Sequence, residues 1–462
     1  MPAGPTAAPP GPVLYSRRMR PRTDRSFYLP LWYTAPADAR QATPSNTTVR
    51  SRGMTVTLAD GTTLQDWGGQ FYVNNIGTGR AEVARALAAQ ARRMSWVAPS
   101  DFADVRLALT ADLRSILPRH LTTPQFGLSG SDSGEIALRA ARRLTGRTRV
   151  LSLWHAYHGD TMTIENICGA PLTPYGDRRP WAIKTPSPYG LWEKAGRDWS
   201  RAGDLALESA ERTLRRYGPK SFAAIVVEPL MSVMGAAPLS PRLARGLRTL
   251  CDRHGIKLIA DEVVTGFGRT GRWFGSQTVG LVPDAIVCAK GLTGGYAPLG
   301  ATVFERSWGD YLRRNGLNHG LTFAGHPLGC AAARATIRIL KRERLVQRAA
   351  TIGRHLRTGL EQLRARHPDL IADVRGSGLV LGLQIEGGHA ARSRRPATAA
   401  RRVEKICDAA LEAGHRLLTT GDGTGLLFTP PFIVTRRQID RLMNVLDVAF
   451  GALTRSPRRP QR

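Results

Sequence analysis

The sequence predicts an α/β protein, a large domain with a mostly parallel sheet wrapped by helices, joined to a smaller α+β domain. Two observations carry this. Between about 124 and 300, short apolar runs alternate with helical stretches, the pattern of strands buried on both faces of a parallel sheet. Beyond 367 the chain returns to strands with DVRGSGLVLGLQIE and closes with a helix over 436–453. With 462 residues, 42% of them hydrophobic and 22% charged, there is enough chain to bury a sizeable core.

Taken in order, residues 1–25 are rich in Pro and Ala and read as a flexible arm, without the apolar run that a secretory signal needs. Residues 26–80 form the N-terminal part of the smaller domain. There VRSRGMTVTLADGTTLQDWGGQFYVNNIG alternates polar and apolar residues around the turn signal Asp60-Gly61, which predicts short antiparallel strands. Helical periodicity over 81–95 and 102–117 opens the large domain, 81–340. Its strands are QFGLS, RVLSLW, AAIVVEP, IKLIADEV and DAIVCAK, with the helix SPRLARGLRTLCDRHG between the third and fourth. A helix-rich stretch at 326–367 leads into the C-terminal small domain, 341–455, which contains an arginine-rich loop, GGHAARSRRPATA, and a helix at 402–414. A basic tail, 456–462, ends the chain.

The formal charge of +30 would draw nucleic acid or an acidic membrane if it were gathered on one face. It is spread along the chain instead, and only seven of the 66 basic residues are lysines, so composition bias explains it better than a binding groove. No window is long and apolar enough to cross a bilayer. The five cysteines have no metal-ligand spacing and leave one over in any pairing scheme, which points to reduced thiols and to the cytoplasm.

Ligands of open α/β sheets sit beyond the carboxyl ends of the strands, so the residues at those ends carry the chemistry. Lys290 lies two residues after DAIVC and just before the glycine-rich GLTGGYAPLG. A lysine there can form a Schiff base with a carbonyl cofactor, although an isolated lysine after a strand is more often an ordinary exposed one. Asp261 ends IKLIAD; it is either a helix cap or the partner of a pyridine nitrogen, with Val263 against the ring face. In LSGSDSGEIALRAARRLTG, Gly130 and Ser131 open a helix whose free N–H groups suit a phosphate, a weak signal alone because such caps are common. HAYHGDT places Tyr157 and His158 after another strand, to stack on a planar ring and to line it.

These stretches, with IADEVVTGFGRTG and LTFAGHPLGCAAA, resemble the class III (ω, subgroup II) aminotransferases of pyridoxal 5'-phosphate fold type I over about residues 50 to 450. The resemblance implies a seven-stranded sheet in the large domain and a homodimer, or a tetramer, with shared active sites. Lys290 would carry the cofactor and move a proton to and from the substrate carbon. Asp261 would bind the pyridine nitrogen. Gly130 and Ser131 would hold the phosphate with Thr322 of the neighbouring subunit, and Tyr157, His158, Val263 and Glu228 would line the cofactor. The implied reaction is a ping-pong transfer of an amino group from an amine or amino acid to a ketone or aldehyde. An epimerase, decarboxylase or phospho-lyase of the same fold is the alternative.

The sequence departs from the family where many members bind a substrate carboxylate. The arginine expected before the Pro-Pro turn of GLLFTPPFIV is Leu427, which cannot form a bidentate carboxylate pair. Glu228, which pairs with that arginine in some members, is left to attract a cationic group or to be held by an arginine of the 391–402 loop. Ser232 stands where glycine is common. With Trp32 and Tyr72 as further pocket residues, unless they are plain core, the departures predict an amine or a specialised biosynthetic intermediate as one substrate.

Overall fold

The computed structural model describes residues 43–169, 179–387 and 396–455. The arm at 1–25, Trp32, most of the arginine-rich loop and the tail at 456–462 lie outside them.

Thr48–Arg52 (β1), Thr55–Leu58 (β2) and Thr63–Asp66 (β3) form an antiparallel meander that turns at Asp60-Gly61, as the alternation predicts. Seven strands then make the central sheet: Leu121–Gly127 (β4), Arg149–Leu153 (β5), Ala182–Thr185 (β6), Phe222–Val227 (β7), Lys257–Asp261 (β8), Ala285–Cys288 (β9) and Gly300–Glu305 (β10). They lie in the order β4-β10-β9-β8-β7-β5-β6. Pairing is parallel from β9 through β8, β7 and β5 to β6, whereas β10 runs antiparallel to both β9 and β4. All six residues of β7 are buried, because helices cover both faces of the sheet and leave no polar side to alternate with.

Among the helices of the described residues are Ala81–Arg93 (α1), Gly130–Thr145 (α2) and Pro241–His254 (α3). For α3 the local code is complete. Ser240 accepts a hydrogen bond from the N–H of Leu243, Pro241 opens the first turn, and Gly255 ends the helix at φ +62°. Strands β6 and β10 escaped the sequence reading. The first is only four residues long, and the second follows the glycine-rich turn after Lys290 with no helix between, so the alternation of strand and helix fails there.

A second four-stranded sheet holds Ile371–Ser377 (β11), Val380–Ile385 (β12), Gly425–Phe428 (β15) and Leu418–Thr419 (β14) in that order. His415–Arg416 (β13) instead pairs in parallel with β3, so segments about 350 residues apart in the chain share one sheet. The indole N–H of Trp67 seals the join by donating to Nδ1 of His415 at 2.9 Å.

Candidate active site

The register of the central sheet brings the predicted residues to one edge. Ala260 lies opposite Val227 and Asp261 opposite Val287, so Glu228, Asp261 and Lys290 all follow the ends of the neighbouring strands β7, β8 and β9. His155 to His158 follow β5, and Leu128 to Ser131 follow β4. A parallel sheet makes this possible, because its strand ends share a side.

Asp261 is buried, and its two oxygens face different partners. Oδ1 accepts from the backbone N–H of Val263 at 3.1 Å, and Nδ1 of His158 lies 2.8 Å from Oδ2. Burial pushes the His158 imidazole down, but the hydrogen bond and charge of Asp261, with Glu228 behind it, outweigh that and hold it above its ordinary value. Its Nε2 is buried with no hydrogen-bond partner among the described residues.

Glu228 is almost fully buried. One oxygen accepts from the N–H of Tyr157 at 3.1 Å; the other accepts from Ser232 twice, from its N–H at 3.0 Å and its hydroxyl at 2.6 Å. Burial and the charge of Asp261 raise its carboxyl above the ordinary value, against the pull of His158 and Ser232. Among the described residues the donors to Glu228 are Tyr157 and Ser232; residues 388–395 of the arginine-rich loop lie outside them.

Lys290 is half-buried and has a backbone φ of +36°, in a short turn that Ala289 enters in an extended conformation. Burial lowers its amine below the ordinary 10.5, while Asp261 and Glu228 oppose the shift. The Nζ lies 5.5 Å from the centre of the Tyr72 ring. Asn75, which the sequence did not single out, fixes the turn by donating from Nδ2 to the carbonyl of Gly291 at 2.9 Å.

Gly130 and Ser131 form the first turn of α2. A β-carbon at Gly130 would stand 2.9 Å from Cγ2 of Val263, so glycine is what lets the helix start approach the strand end. Ser131 is held from the other side, its hydroxyl accepting from the N–H of Asp160 at 3.1 Å.

Thr322 and Leu427 complete the predicted set. Thr322 is exposed, and its carbonyl accepts from the Trp96 indole at 3.3 Å. Leu427 is fully buried in β15, flanked by Gly382 on β12 and Leu418 on β14. In the same row, Arg375 of β11 faces Gly382, but its guanidinium is committed to Asp373, the Gln384 amide and the Met234 carbonyl.

A lysine with a depressed amine, a buried carboxylate bridged to an imidazole and a glycine-opened helix start, all at one sheet edge, define an enzyme that uses a carbonyl cofactor on amines. The comparisons agree. The family model of the class III aminotransferases matches residues 37–450. A diaminobutyrate–2-oxoglutarate transaminase of Halomonas elongata is 31% identical, with 89% of this chain and 91% of that protein covered. A 5-aminovalerate aminotransferase of Pseudomonas aeruginosa is 32% identical over 87% and 93% of the two chains. The crystal structure of a PLP-bound amine transaminase from an uncultivated Pseudomonas species superposes with a TM-score of 0.84 at 31% identity, covering 92% of this chain and 98% of that one. The chain belongs to the class III aminotransferases. It is a pyridoxal 5'-phosphate-dependent aminotransferase, and its substrates are small-molecule amines and keto compounds.

The residues present fit that cofactor. Gly130 brings the free N–H groups at the start of α2 up against Val263, and the unpartnered Nε2 of His158 beside Asp261 is a buried polar atom at the same sheet edge that a bound ligand could satisfy.

Proposed function

We propose that this aminotransferase takes its amino group from an amine or a specialised biosynthetic intermediate. The observation that carries the reading is Leu427, a buried aliphatic side chain where a carboxylate-binding arginine stands in many members, with Glu228 already satisfied by Ser232 and Tyr157. The relatives named for 5-aminovalerate and the solved amine transaminase support it.

In this reading the bound cofactor supplies a conjugated ring that takes up electrons when the substrate carbon loses its proton. Lys290 carries the cofactor and then moves that proton, a task its depressed amine suits because the neutral base is more populated. Asp261 keeps a proton on the pyridine nitrogen, and the hydrogen bond from His158 fixes the carboxylate for it. Gly130 and Ser131 offer backbone donors to the phosphate at the start of α2. Tyr157 and Val263 enclose the ring, and Tyr72, whose ring faces Lys290, lines the substrate side.

A homodimer in the cytoplasm completes the proposal. A groove of about 590 Å³ runs between α1 and the segments at 296–298 and 323–329, and its walls include Leu87, Ala91, Leu128, Pro298 and Phe323. Phe323 and Trp96 are half exposed beside Thr322. That apolar face suits a second copy, which would receive Thr322 at its phosphate site. No helix among the described residues is long and apolar enough to cross a membrane.

The test is an absorbance scan of the purified protein against single amines and amino acids. One amine donor converting the visible cofactor band to the amine form supports the reading, whether or not glutamate or alanine also serves in the other half-reaction. Conversion by ordinary α-amino acids alone would overturn it.

A further inference from the structure

Gly69, Gln70, Phe71 and Tyr72 have consecutive φ values of +55, +51, +56 and +70°. A left-handed turn crowds every residue that has a β-carbon, so three such residues in a row need support from outside the turn. Gly69 has no choice, since a β-carbon there would meet the Thr429 carbonyl oxygen at 2.2 Å.

The support comes from two sides. Asp66 accepts from the N–H of Gly68 at 3.1 Å, from that of Gln70 at 2.7 Å and from the Gln70 amide at 2.8 Å. Arg269, from the GFGRTG run, holds the other end. Its guanidinium is fully buried, and burial, with no carboxylate offsetting it, lowers it to about 9. It bonds only carbonyls: Nη2 donates to Tyr72 at 3.2 Å and Asn74 at 3.1 Å, and Nη1 to Thr429 at 2.9 Å, Pro430 at 2.6 Å and Leu379 at 3.3 Å. One side chain thus fastens the left-handed turn to the exit of β15, and the turn ends in the Tyr72 ring facing Lys290.

We propose that Arg269 is a positioning residue for transamination: by holding the turn at 69–72 it keeps the Tyr72 ring against the nitrogen of Lys290. This rests on the reading that Lys290 carries the cofactor. The experiment is a pH titration of the visible absorbance of the full-length holoenzyme. Asp261, Glu228 and His158, the other ionisable groups around Lys290, stay unchanged in every variant.

A ring face favours a positive nitrogen, so Tyr72→Ala is expected to lower the titration midpoint by about half a pH unit, and Tyr72→Phe to leave it near that of the parent. Arg269→Lys and Asp66→Asn are each expected to lower it in the same direction, and Arg269→Lys to add nothing in the Tyr72→Ala background. A midpoint that stays at the parent value in Arg269→Lys, whatever happens to thermal stability, overturns the proposal; so does an unmoved Tyr72→Ala. If Arg269→Lys does not fold, Asp66→Asn decides, since it loosens the same turn without touching the buried guanidinium. A visible band that survives in Lys290→Ala would instead remove the reading of Lys290 on which the proposal stands.

Discussion

The edge of the central sheet and the C-terminal sheet handle charge in opposite ways. At the edge, two buried carboxylates, an imidazole and a lysine crowd together, and the charges acting on Lys290 are those of Asp261 and Glu228. In the C-terminal sheet each charge is matched locally: Arg375 meets Asp373 at 3.2 Å, and Asp422 accepts from Thr420 at 2.7 Å, from the N–H and hydroxyl of Thr424 and from the Tyr189 phenol. The difference separates a place built to respond to a ligand from one built to hold its shape. Adjacent residues repeat the lesson. Asp261 faces the site, whereas Glu262 is fully buried and satisfied by Thr265, Gly275 and Ser276.

Perturbing each region tests that contrast. Lys290→Ala should lower turnover about 10⁴-fold, the upper range for losing a positioned acid–base group, while melting changes little; steady-state kinetics with calorimetry checks both. Leu427→Arg probes the other region. If Leu427 lies in a core rather than against the substrate, an unpaired buried charge should destabilise the protein by about 3–5 kcal/mol in urea titrations. A stable variant would break the comparison, and one that also gains activity on carboxylate-bearing donors would support Leu427 as the place of the missing arginine.

Asp261→Asn keeps the shape and removes the charge. We expect about a hundredfold loss in kcat, on the scale of removing one oriented electrostatic group, and the visible spectrum should shift as well. Ser232→Ala leaves one oxygen of the buried Glu228 short of a donor, which should cost about 1–3 kcal/mol of stability and raise the Glu228 carboxyl further. The smallest effect belongs to Asp422. Burial raises its carboxyl, but its four donors outweigh that and hold it below the ordinary 3.8. Its contribution is therefore full above that value and is lost as pH falls through the lower folded value, so Asp422→Asn should flatten the acid end of the stability profile.

Strand ends were the most legible feature. Lys290, Asp261 and the Gly130–Ser131 turn could be read because short apolar runs announce where each strand stops, and parallel strands stop on one side. Ser232, Asn75 and Arg269 were not singled out for what they hold. Ser232 could have been suspected from a hydroxyl four residues after Glu228, but the contacts of Asn75 with Gly291 and of Arg269 with Tyr72 join segments about 200 residues apart, and no local pattern encodes them. Leu427 was visible as a departure, whereas its full burial depends on strands β12 and β14 closing around it.

The union of β3 with β13 also bears on how the molecule is made. Trp67 cannot meet His415 until almost 350 further residues have been synthesised, which at roughly 5–20 residues per second means a wait on the order of tens of seconds. During that interval the central sheet can form, but the 69–72 turn has neither β15 to lean on nor Thr429 and Pro430 to share its arginine. The lysine is therefore in place long before its surroundings, and a ribosome that stalls late in the message would release a chain with most of its core and an unfinished active site.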